Sequence, residues 1–415
     1  MFERRIPEWL RHAPTPSVRG FALLQGFEAI TRGLLISIFP VAMYHALGDA
    51  RAVSLVYFLI GVLSLTTGLL VPFVTRFWPR RWVYTAGALL YVAGAALAIA
   101  QTPWSVPAAI AAYSMATVTT FVCFNAYVLD YIARVDLGRV ETLRMFYSAF
   151  GWTVGPLTGV ALYALWPPLP FLISGASALI MLGLFLYLRL GNGRLITRAK
   201  APPPNPLAFL GRFFAQPRLV AGWLFAVIRS CGWWAYVVYL PIFAVQAGMG
   251  DHVGGTLLSI TNGSLFLSPL MLRWMQKRSV RHAVRTGFAM ATALFLLAGL
   301  TAQIPPLTAG LLFCGSLFLI LLDISAGLPF LMAVKPSERT EMSAIYSSFR
   351  DVSGILTPGI AWAVLLVAPV SGIFTATAGA LFGAFLIAGR LHPCPAPAAS
   401  RRRNNPHAQP AQRPR

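Results

Sequence analysis

Acidic residues are scarce in this 415-residue chain, with 12 Asp and Glu against 33 Lys and Arg, and the four charged types together make up 11% of it. A soluble domain carries about 25% charged residues, so a water-exposed globule of 45.0 kDa is excluded. Cysteine is sparse too. Cys123, Cys231, Cys314 and Cys394 form no CxxC pair and no metal-like spacing, so reduced thiols are expected, with neither a disulfide framework nor structural zinc. HExxH, GxSxG and Walker A sequences are missing, as are paired Cys/His clusters, so neither an enzyme nor a nucleotide-driven pump is expected. The sequence implies no cofactor and no metal. The basic, amphipathic start, MFERRIPEWLRHAPTPSVRG, is not followed by a short apolar run with a small-residue cleavage site, so the first apolar segment is expected to be retained.

Long apolar runs fill the rest. A membrane-crossing helix needs about 20 mostly apolar residues, and such stretches fall near 20–43, 53–75, 82–101, 106–131, 145–166, 168–189, 219–247, 253–275, 284–303, 307–333, 343–367 and 369–389. Each should be a helix, because a helix satisfies its own backbone polar groups in lipid. The expected fold is an all-α membrane protein with twelve transmembrane helices. Its parts are a cytoplasmic N-terminal segment at 1–19, a six-helix bundle at 20–189, a cytoplasmic linker at 190–218, a second bundle at 219–389 and a disordered basic tail at 390–415.

The connecting segments alternate in charge. Thirty of the 33 basic residues fall on one side of the expected membrane, while the loops of the other side hold Arg51. The positive-inside rule then places both termini in the cytoplasm of a multi-pass protein, with a bacterial-type inner membrane as the expected location. Because the basic residues are spread over seven separate segments, as topology demands, the net charge of +21 does not point to nucleic acid. The tail reads as a topology anchor or a contact for anionic lipid.

The two sets of six stretches are related. Pro72 and Arg76 of VPFVTRFWPRR recur as Pro269 and Arg273 of SPLMLRWMQKR, and Arg32 recurs as Arg229, all at an offset of 197; Tyr147 and Tyr346 match at 199. Three separated regions at nearly one offset indicate duplication in parallel orientation. With twelve spans, this repeat and a basic turn between spans two and three, the chain resembles the major facilitator superfamily over essentially its whole length. Thr75 and Trp78 stand where that superfamily's loop signature has an acid and a glycine. In span five, GWTVGPLTG places Gly151, Gly155, Pro156 and Gly159 in a pattern similar to one found in exporting, antiporter-type members. Physically it reads either as a hinge or as a close-packing face for a neighbouring helix. The resemblance implies two pseudo-symmetric six-helix bundles, with spans one, four, seven and ten lining a central cavity.

An ionisable side chain at mid-bilayer costs about 2.5–3.5 kcal/mol on insertion scales, so each needs a reason. Span one carries Glu28 and Arg32, span four Asn125, span seven Arg229 and span ten Asp323. Glu28 and Arg32 share a helix face and Arg229 is expected to pair with Asp323. One reading makes Arg32 and Arg229 a clamp for an anion, with Asn125, Trp233 and Tyr236 as further substrate contacts and Glu28 and Asp323 as proton carriers. The other makes the pairs structural. Trp234 and Tyr239 read as belt residues at the membrane surface. Arg76, Arg273, Asp136, Arg139, Arg350 and Asp351 read as a cytoplasmic gate or as plain solvated charge.

The expected function is secondary transport by alternating access of a small organic anion, by proton coupling or exchange. Proton-driven efflux of hydrophobic drugs and a non-transporting assembly factor or sensor are the alternatives. The expected partners are a small-molecule substrate, a proton or counter-ion and the lipid bilayer, with no nucleic acid, and a monomer is expected.

Overall fold

The computed structural model describes residues 18–131, 137–188, 210–328, 330, 334, 342 and 345–389. Helices occupy every stretch where the sequence predicts a span. Among the described residues, nine are long and apolar enough to cross a membrane: Val18–Leu47, Ala50–Phe77, Arg80–Ile99, Ser105–Val128, Leu169–Tyr187, Pro217–Gln246, Val280–Leu300, Pro305–Ser325 and Ser371–Gly389. The other three positions are helical as well. Span five is Leu137–Leu165, beginning eight residues before the sequence expectation, and span eleven is described over Phe349–Leu365. Span eight is cut into His252–Gly263 and Ser268–Lys277 by a 3-10 turn at Ser264–Leu267. That turn ends two residues before Pro269, which has no N–H to offer the carbonyl of Leu265.

Two further breaks fall in mid-membrane, on the helices that carry the arginines. Span one stops at Gly33 and resumes as Ile38–Leu47, with the Leu35 N–H bonded to the Arg32 carbonyl at 3.1 Å in a tightened turn. An unbroken helix would give that N–H to the carbonyl of Thr31. Instead the Ser174 hydroxyl of span six donates to the Thr31 carbonyl at 2.6 Å, and Tyr113 of span four lies 2.6 Å from Ser174. Span seven passes from Pro217–Trp234 through a π-helical turn, Ala235–Tyr239, into Leu240–Gln246. Pro241 lacks the N–H that would return to Val237, and a wider turn absorbs the mismatch.

Span five is shaped to receive the broken span one. A Cβ on Gly151 would sit 2.7 Å from the carbonyl carbon of Ala29, one on Gly155 would sit 2.6 Å from that of Gly33, and one on Gly159 would overlap the carbonyl oxygen of Leu34. The glycines thus let two backbones touch, at a distance where Cα–H···O contacts form. Pro156, between them, frees the carbonyl of Trp152. Asn262 of span eight donates to that carbonyl at 2.6 Å, and the next free N–H along, that of Leu157, donates to Ser259 at 2.8 Å.

Span eight belongs to the second half of the molecule, so these bonds join the halves. More contacts do the same. Tyr239 donates to Ser54 at 3.0 Å, Trp234 meets Tyr57 edge-on with ring centroids 6.1 Å apart, Gly61 faces the Gly354 backbone, and His45 lies 3.1 Å from Asp251. Among the described residues these junctions run from mid-membrane to the side opposite Val18 and Gly389, here termed the far side, the side of Val18 and Gly389 being the terminus side. This corrects the belt reading of Trp234 and Tyr239. Tyr239 is fully buried and Trp234 half-buried, because both meet span two, at Ser54 and Tyr57, rather than lipid.

Candidate functional site

In the first half, the charges form one hydrogen-bonded cluster. Glu28 Oε1 accepts from Arg32 Nη1 at 2.8 Å, as the four-residue spacing dictates, and Glu28 Oε2 accepts from the Gln25 amide at 2.9 Å. The Tyr91 hydroxyl of span three lies 3.3 Å from Glu28 Oε1 and 2.9 Å from Thr117. The Gln25 carbonyl accepts from Arg144 of span five at 3.1 Å, and that guanidinium lies 4.7 Å from the centre of the Phe124 ring. Behind Glu28 lies a cavity of about 20 Å³ lined by Gln25, Tyr84, Thr120 and Phe124 among others. That is room for a single water molecule with polar partners.

In the second half the pair is built across two helices. Arg229 Nε of span seven lies 2.8 Å from Asp323 Oδ1 of span ten, close enough for an ion pair though not aligned as a hydrogen bond, and the Trp233 indole donates to Oδ2 at 3.0 Å. The guanidinium carbons of Arg229 and Arg350 lie 5.3 and 5.6 Å from the centre of one ring, Phe349. Arg32 rests over Trp152 at 5.1 Å. Trp152 and Phe349 are themselves 197 residues apart, so each repeated arginine stands over an aromatic ring from the equivalent helix of its own half. Reading along the sequence missed both rings, although the offset that matched Arg32 to Arg229 also matches them.

The two pairs expose opposite members. Arg32 is 34% accessible and Glu28 12%, whereas Arg229 is 12% accessible and Asp323 37%. Arg350, exposed near the start of span eleven, lies in the fields of Arg229, Arg32 and Asp323, so charges of both halves lie near one another, and the space between the halves at this level is here termed the chamber. Asn125 is half-buried and makes no side-chain hydrogen bond among the described residues. Trp233 joins the chamber through Asp323, whereas Tyr236 is fully buried, its hydroxyl 2.8 Å from Thr261 inside the second half. Gly151, Gly155, Pro156 and Gly159 pack against span one and span eight, with Gly151 and Gly155 on the backbone next to Glu28 and Arg32. Arg76 and Arg273 are exposed at the terminus side and Asp351 is half-buried beside Arg350. Asp136 and the side chain of Arg139 lie outside the described residues. Among the described residues no group of His, Cys, Asp and Glu is placed to hold a metal ion.

Helical spans in two matching halves, joined on one side and holding charges in a chamber between them, define a multi-pass membrane transporter. The sequence model of the Major Facilitator Superfamily matches residues 21–358, and the chain belongs to that family. No curated protein sequence matches it. Among solved structures, a mutant form of the nucleoside transporter NupG is similar with a TM-score of 0.72 at 13% identity, covering 90% of this chain and 98% of that one. A POT family transporter in complex with a thioalcohol-conjugated peptide gives 0.69 at 11% identity, over 89% and 94%. The human organic anion transporter MFSD10 gives 0.55 at 16%, over 92% and 100%. At these identities the likeness is one of fold.

Proposed function

We propose that the chain is a secondary transporter working by alternating access, and that it moves a small organic solute bearing an anionic group. The observation that carries this is Arg32: a guanidinium in the middle of a span, one third accessible, backed by Trp152 and turned to the chamber. An intramembrane cation left accessible has a functional reason by default, and a planar guanidinium suits carboxylate or phosphate. Family membership places the protein in a membrane and makes it a carrier rather than an enzyme. With both termini in the cytoplasm of an inner-membrane protein, the junctions at the far side close the periplasmic mouth, and the chamber opens inward.

Glu28 and Asp323 are the proton carriers in this reading. Glu28 has Arg32 on one oxygen and a water-sized cavity beside it, so an anion drawing Arg32 away leaves that oxygen open to water. Hydrophobic drug efflux draws less support. Of the aromatic side chains around span seven, Tyr236 and Tyr239 are buried in packing and Trp234 faces Tyr57, leaving Trp233 at the chamber.

The test is counterflow and gradient-driven uptake in proteoliposomes with a panel of organic acids and organophosphates. Arg32→Gln should abolish transport of every anion that the unaltered protein carries. Glu28→Gln should keep exchange but lose its response to an imposed pH gradient. If Arg32→Gln transports anions normally, the anion reading fails.

A further inference from the structure

We propose that the solute is a zwitterion, with its anionic group on Arg32 and its cationic group on Asp323. This rests on the transporter reading above and narrows its substrate class. The sequence suggests a symmetric clamp of two arginines, which suits a dianion. The structure offers something else. Arg229 is recessed, with Asp323 at its Nε and the ring of Phe349 beside it, while its partner Asp323 is the accessible member, at 37%. In the first half the order is reversed, with Arg32 accessible and Glu28 recessed. Among the described residues the two pairs therefore show an incoming solute a cation from the first half and a carboxylate, with Arg350 nearby, from the second.

Both groups have capacity to spare. Arg32 spends Nη1 on Glu28, and a guanidinium has five N–H donors. Each Asp323 oxygen holds one partner, Arg229 on Oδ1 and Trp233 on Oδ2, and a carboxylate accepts about four bonds. A zwitterion can dock on Asp323 without parting it from Arg229, and its anionic group, once on Arg32, competes with Glu28 for that guanidinium. A dianion would meet Arg229 recessed, 12% accessible, with the Asp323 carboxylate at its Nε repelling the second anionic group. Among the described residues, Arg350 is the accessible cation on the Asp323 side. Standing over Phe349 beside Arg229, it opposes the cationic end of the solute and tempers, rather than reverses, the carboxylate's pull.

The experiment uses matched probes on the full-length purified protein: tryptophan and the dipeptide Ala-Phe, each as the free zwitterion, the N-acetyl anion and the C-terminal amide cation. Binding is read as thermal stabilisation over a concentration series. At least one zwitterion should bind ten-fold or more tightly than both of its blocked forms. Asp323→Asn should remove that preference, leaving zwitterion and N-acetyl anion equal, and Asp323→Glu should restore part of it. Arg32→Gln should abolish binding of both, and Arg350→Gln should tighten the zwitterion. If the N-acetyl anions bind as well as the zwitterions in the unaltered protein, the zwitterion inference is overturned while the anion reading stands. If the amides bind best, or if no member of either set stabilises the protein, both are overturned.

Discussion

Arg32 and Glu28 are four residues apart on a helix, a spacing that leaves the two side chains little choice but to meet. That pair was legible in the sequence for this reason. Its neighbours were not. Trp152 and Phe349 sit in apolar helices where an aromatic residue is ordinary packing, and what singles them out is the cation standing over each ring. A cation over an indole face contributes about 0.5–1 kcal/mol when exposed and about 2 kcal/mol when desolvated, and Arg32 stands between these limits. Trp152→Ala should therefore weaken anion binding by roughly three- to ten-fold, while Trp152→Phe should cost less; a binding titration of the two variants separates them. Tyr236 shows the opposite error. Counting residues from Arg229 puts it on the chamber face, but the π-helical turn that begins at Ala235 rotates the remainder of span seven and sends the Tyr236 hydroxyl to Thr261.

At the scale of the helix, proline and glycine decide the geometry. Gly159 leaves no room for a methyl group against the Leu34 carbonyl, and backbone cannot yield as a side chain can. Gly159→Ala should destabilise the protein by about 1–3 kcal/mol, the usual range for overpacking, seen as a lowered midpoint in thermal unfolding in detergent. Pro156 leaves Trp152 with a carbonyl that the opposite half must satisfy, and Asn262 does so. Leaving a buried acceptor unpaired costs about 1–3 kcal/mol, and here that cost falls on the state with the far side closed. Asn262→Ala should shift the protein toward opening on the far side. The check is faster labelling by an impermeant maleimide of a Ser54→Cys reporter, buried under Tyr239 in the closed junction. Unchanged labelling would mean that this bond does not hold the junction. Composition announces such kinks, but not which side chain from the other half fills the gap they leave.

For the molecule as a whole, the order and extent of the helices were readable because lipid imposes about 20 apolar residues per crossing and charge marks the turns. The spans fell within a few residues of expectation, except where span five runs further through polar residues at its start and where the helix of span ten ends at Ser325, eight residues before the expected 333. How the halves meet was not readable, since hydroxyls, amides and glycines such as Ser54, Ser259, Asn262 and Gly354 carry no periodic signal. The proposed orientation makes a simple prediction. In a cysteine-free background, an impermeant maleimide applied from outside should label a cysteine at Thr102 and leave one at Ser279 untouched. The reverse pattern would turn the protein over in the membrane.

One asymmetry bears on how such a machine could run. Glu28 and Arg32 ride on a single helix, so no tilting of one bundle against the other changes their separation. Arg229 and Asp323 ride on two, and sliding spans seven and ten by a fraction of a turn would part them. The first pair can register cargo but is blind to movement among helices; the second can register a rearrangement inside its own bundle.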